Sequence, residues 1–191
     1  MARRILVSGL LGAIVLVAWT VVVNAVFGFA ARMDMNPVPN ERAVYALLEE
    51  QIAQPGAYLA NPAPSANGEF PPGEPVYGIR YGGVGHEAAG RLLVIDLLTA
   101  LVASIVVAGL LSVSSTRILS RYAYRVLYVA SIGFLLAVFG DVPKYGIGGY
   151  PARDALLLAA NHVVSWTLAG AAMAWGMRAP GNASSAGAHG A

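Results

Sequence analysis

The sequence predicts an all-α membrane protein, a bundle of four transmembrane helices carrying one large extracytoplasmic loop. Three observations predict it. Only 12% of the 191 residues are charged and 57% are hydrophobic, against about 25% charged in soluble domains. Four runs are apolar over a length that crosses a bilayer core, which takes about 20 helical residues at about 1.5 Å each. The basic residues of the short flanking segments alternate with those runs in the way a fixed membrane orientation requires.

The first span covers 5–31 and holds no charge. It is too long for the apolar core of a cleaved signal, about 7 to 15 residues, so it is predicted to remain as an anchor. The second, 92–113, is apolar except for Asp96. The third, 122–140, is the shortest, and Arg125 near its start is expected to snorkel its guanidinium to the interface. The fourth, 155–177, is introduced by Pro151, whose missing N–H costs nothing in a first helical turn.

Arg3, Arg4, Arg117, Arg121, Arg125 and Arg178 flank the spans on one side, whereas every carboxylate except Asp96 falls on the other. Translocating Lys and Arg is disfavoured. Both termini are therefore predicted to be cytoplasmic, in a multi-pass protein of a bacterial inner membrane. The bacterial source is read from the Ala- and Gly-rich composition and from eleven Arg against one Lys. Residues 1–178 read as one membrane domain, and the tail 179–191 lacks apolar residues to bury and is expected to be disordered.

The loop 32–91 is too long for a simple turn and should be partly ordered. Asn40 is a suitable N-cap, Glu41 suits the positive end of a helix, and Val44, Leu47, Leu48 and Ile52 recur at helical spacing. A short amphipathic helix over 41–53 is predicted. The runs 57–60 and 76–81 flank a Pro-, Gly- and Asn-rich connection and fit a β-hairpin. Gly82, Gly83 and Gly85 then form a hinge into the second span.

Cysteine is absent, which excludes disulfides, thiolate nucleophiles and Cys-ligated metals. No motif identifies a catalytic residue, a metal site or a cofactor, and nucleic-acid binding has no basis in the sequence. The chemistry-bearing residues instead share a depth. Residue offsets place Asn24, Asp96, Asn161 and His162 in one layer, about 7 to 11 Å below the outer interface. Asp141 sits just above it, and His86 and Glu87 lie at the entry to the second span. An ionisable residue inside a span is costly and by default marks function. Asp96 paired with His162 would make a proton relay. Alternatively, Asp96 with His86, Glu87 or Asp141 would make a weak metal site built on imidazole and carboxylate. Interhelical hydrogen bonding, which stabilises packing by about 1 kcal/mol per bond, is the simpler account of the same residues.

Ala100, Ser104 and Ala108, and likewise Trp166, Gly170 and Ala174, place small residues at four-residue spacing. They suit packing within the bundle or a homodimer face. Two stretches carry a resemblance: Pro-Val-Pro-Asn-Glu-Arg from Pro37, leading to Gly56-Ala-Tyr-Leu, and Tyr-Gly-Ile-Gly-Gly-Tyr-Pro from Tyr145, followed by Ser165-Trp-Thr-Leu-Ala-Gly. Together they resemble an uncharacterised group of small bacterial four-span membrane proteins, a likeness that implies the architecture and no activity. The expected function is that of a non-enzymatic accessory or assembly subunit of a membrane complex. Its partners are the lipid bilayer and a second membrane protein or a second copy of the chain. The alternative is a small transporter, channel or ion-binding protein that uses the polar layer.

Overall fold

The architecture is seen in a computed structural model that describes residues 1–34, 37–60, 66–69, 73, 75, 77–83, 85–146 and 150–177. It is mostly helical, with four helices long and apolar enough to cross a membrane and one two-stranded sheet. The tail 179–191 and Arg178 lie outside the described residues.

Helix α1 (Ala2–Phe27) stops at Gly28, whose φ of 58° lies in the left-handed region and whose N–H meets the carbonyls of Val23 and Asn24. A residue without Cβ takes that conformation freely and closes the helix. The span expected over 5–31 is therefore broken, and a short helix α2 (Phe29–Asp34) follows. Hydropathy carries the apolar run through Gly28 because it does not register backbone angles.

In the loop, helix α3 (Glu41–Gln51) forms where expected, two residues shorter at its end, and the Asn40 side chain accepts from the Ala43 N–H at 3.5 Å. Strands β1 (Gly56–Ala60) and β2 (Tyr77–Tyr81) pair antiparallel, with Gly56 opposite Tyr81 and Ala60 opposite Tyr77. Neither strand contains a buried residue. Gly83, at φ 93°, turns the chain towards helix α4 (Gly85–Ser112), whose membrane-crossing part is Leu93–Ser112.

A short helix α5 (Thr116–Ser120) leads to helix α6 (Tyr122–Leu136), which widens into a π-helical segment (Ala137–Asp141) and ends in helix α7 (Pro143–Gly146). The third span is thus continuous over Tyr122–Tyr145, longer than the 122–140 expected. Charge does not end it, because Asp141 and Lys144 bond to each other at 2.8 Å. Nor does Arg125 snorkel. It is 5% exposed; its Nε donates to the Ala174 carbonyl at 3.1 Å and its Nη1 to the Leu119 carbonyl. Helix α8 (Ala152–Gly176) begins at Pro151, whose carbonyl accepts from Asp154 and Ala155.

Helix α1 packs on both α4 and α8, α6 packs on α8, and α4 meets α6 lightly. Small residues set these approaches. A Cβ on Gly9 would lie 2.8 Å from the Ile105 Cα, and one on Gly170 would lie 2.9 Å from the Val129 Cβ, so both positions exclude a larger residue. Ser104, Ala108, Trp166, Gly170 and Ala174 are all buried, which places most of the two small-residue rows inside the molecule. The apolar core joins Val107, Ala108 and Leu111 of α4, Val129 of α6, and Trp166, Ala169 and Met173 of α8. It lies towards the end where α1 begins and α4 and α8 finish, here termed the arginine-rich end. At the opposite, loop end, all seven residues 93–99 of α4 are exposed.

Candidate functional site

Towards the loop end, α8 presents two consecutive polar residues, Asn161 and His162. Consecutive helical residues project about 100° apart, so the two reach different neighbours. Asn161 turns to α1, where its Oδ1 accepts from the Trp19 indole N–H at 2.9 Å. His162 turns to the third span, where its Nδ1 meets the Asp141 Oδ2.

Asp141 is the centre of this arrangement. It is 1% exposed and closes the π-helical segment, in which the Val142 N–H reaches the Ala137 carbonyl five residues back. Such widened turns are frequent at functional sites because they re-aim the side chains that follow. A buried carboxylate needs partners for both oxygens. Lys144, one short turn on, donates to Oδ1 at 2.8 Å, and His162 occupies Oδ2. The Lys144 and His162 side chains are themselves 36% and 43% exposed. The carboxylate is thus fixed and enclosed, while its two partners reach outward.

This set couples a buried carboxylate to a partly exposed imidazole and ammonium. No group of three His, Asp or Glu suited to a metal occurs among the described residues, and an ammonium already holds one carboxylate oxygen. It has no activated nucleophile either. The nearby Ser165 hydroxyl donates to the His162 main-chain carbonyl at 2.9 Å.

The other candidates stand apart. Asp96 lies on the exposed part of α4 with no hydrogen-bond or ion-pair partner among the described residues. Asn24 is exposed near the end of α1, where its carbonyl accepts from Gly28. His86 and Glu87 fall in the first turn of α4, and their side chains lie outside the described set. Sequence reasoning missed Lys144 and Trp19 as members of the site. The i, i+3 spacing of Asp141 and Lys144 was the available signal for the first; the second depends on which helices are neighbours. Comparison of the chain with protein-family models, with curated proteins and with solved structures returned no match.

Proposed function

We propose that this chain is a non-enzymatic accessory or assembly subunit of a membrane complex, seated in a bacterial inner membrane with both termini cytoplasmic. The observation that carries the reading is the exposed run 93–99 of α4. Seven residues make nearly two helical turns, so exposed side chains occur on every side of the helix there. Leu93, Val94, Ile95, Leu97 and Leu98 are between 43% and 64% exposed. Lipid satisfies such side chains. It does not satisfy Asp96 in their midst, because a carboxylate inside a span is costly unless it finds a donor. A neighbouring transmembrane helix bearing a donor at that depth meets both demands.

Affinity purification from native membranes in mild detergent, with mass spectrometry, tests this reading. A stoichiometric partner is expected, and Asp96→Leu is expected to abolish its recovery while leaving expression and the elution profile of the chain unchanged. A partner-free, monodisperse protein that moves protons or ions unaided in liposomes would sink the accessory role. It would favour instead the second reading, an ion- or proton-handling protein, which Asp141 supports by being enclosed between His162 and Lys144.

A further inference from the structure

The arginine-rich end is short of negative charge. No carboxylate occurs in the sequence between Asp96 and Asp141, nor before Asp34. Of the arginines in the two stretches, Arg3, Arg4, Arg117, Arg121 and Arg125 lie at this end and Arg32 at the other. Arg125 is turned inward onto backbone carbonyls. Arg117 and Arg121 are not: both are exposed, and neither makes a salt bridge among the described residues. Both guanidinium groups instead lie near one aromatic ring, Tyr124, with Cζ 6.0 Å and 5.5 Å from its centroid. A ring face attracts each cation modestly, but it leaves the donors of both free and does nothing to relieve the repulsion between them.

A groove between α5 and α6 begins at Arg117 and the Tyr124 ring, with Arg121 held against the same ring outside the groove lining. It has a volume of about 320 Å³ and runs from Arg117 and Tyr124 past Ile118, Leu127 and Tyr128 to Ser131. From Tyr124 to Ser131 is about 10 Å along the helix axis, directed into the span. Its far end is effectively apolar, since the Ser131 hydroxyl is already bonded to the Leu127 carbonyl at 2.8 Å. Leu127 is 62% exposed along the groove.

A dicationic head and an apolar groove that descends into the membrane match a ligand with an anionic head and a hydrocarbon tail. The geometry points to a binding site for one anionic phospholipid, with its phosphate on Arg117 and Arg121 and an acyl chain along Ile118, Leu127 and Tyr128. Basic pockets beside transmembrane helices bind such headgroups by charge, and each arginine contributes roughly a fivefold gain in affinity. Tyr124 holds both guanidinium groups within 6.0 Å of one ring centroid.

The test is native mass spectrometry of the intact chain in detergent, titrated with phosphatidylglycerol and with phosphatidylcholine of the same acyl chains. Preferential retention of phosphatidylglycerol is expected, and Arg117→Gln with Arg121→Gln should weaken it about 30-fold. Removing the same charge from α1, with Arg3→Gln and Arg4→Gln, should weaken it far less, because α1 does not line the groove. Leu127→Trp alters an exposed position, leaves both arginines in place and should also reduce retention by filling the acyl path. Equal retention of the two lipids, or equal losses from the two arginine pairs, would overturn the site. So would inorganic phosphate displacing phosphatidylglycerol at equal concentration, since the groove would then be reading a soluble anion. If the Arg117/Arg121 variant does not yield folded protein, undiminished retention by Leu127→Trp overturns the proposal alone.

Discussion

Each end of the third span buries one charged side chain, and the two are satisfied in different ways. Arg125, at the arginine-rich end, donates to the main-chain carbonyls of Leu119 and Ala174. Asp141, at the loop end, is held by the side chains of Lys144 and His162. Carbonyls at fixed points of the backbone do not swing away, whereas the ends of lysine and histidine side chains can rotate. The first arrangement therefore suits a permanent tie between helices, the second a group whose surroundings change with a neighbour. The packing follows the same division. Leu111, Val129, Ala169 and Met173 are fully buried at or near the arginine-rich end, while residues 93–99 of α4, towards the loop end, are exposed.

The largest effect expected from this contrast is at Arg125. Arg125→Ala removes charge-assisted bonds to two carbonyls, each contributing about 1.5–3 kcal/mol, and should lower stability in detergent by about 3 kcal/mol. Arg125→Lys should not restore it, because one ammonium cannot reproduce the fork that reaches both carbonyls. Thermal unfolding in a fixed detergent measures both. Next in size is Gly170→Ala, whose Cβ would press on the β-branched and fully buried Val129; overpacking of this kind costs about 1–3 kcal/mol. Its counterpart at the loop end, Gly140→Ala, meets nothing within 4 Å and should be neutral by the same assay. Similar losses at the two glycines would remove the packing half of the comparison. The smallest effect is expected at Asp141→Asn. The amide retains an acceptor, and Lys144 is exposed enough to hydrate, so a loss of about 1 kcal/mol is expected. A loss equal to that of Arg125→Ala would show that both ends are structural ties.

Much of the fold was legible because lipid imposes a simple demand on sequence. Hydropathy marked four spans, Asn40 marked the start of α3, and the glycine- and proline-rich connection marked the hairpin. What it left out has a physical reason in each case. The stop at Gly28 lies in a backbone angle, and the length of the third span depends on Asp141 and Lys144 cancelling each other. The inward turn of Arg125 depends on where α8 ends. The site was legible as depth and not as neighbourhood. Residue offset puts Asp96, Asn161 and His162 at comparable heights, but which of them meet is decided by the helix order, since α4 packs on α1 whereas α8 packs on both α1 and α6. Asp141, read as a bordering residue, becomes the centre because the π-helical segment and α8 converge on it.

The bonds of Arg125 and Asp141 also bear on how the chain enters the membrane. Arg125 finds one of its carbonyls 49 residues later, at Ala174, and Asp141 finds its imidazole 21 residues later, at His162. A third span by itself would carry both charges without those partners, and ionisable residues within a span are costly unless they are paired. Helix α8 supplies the missing partner to each. The third and fourth spans are thus tied at both ends, a charged group of one meeting a polar group of the other.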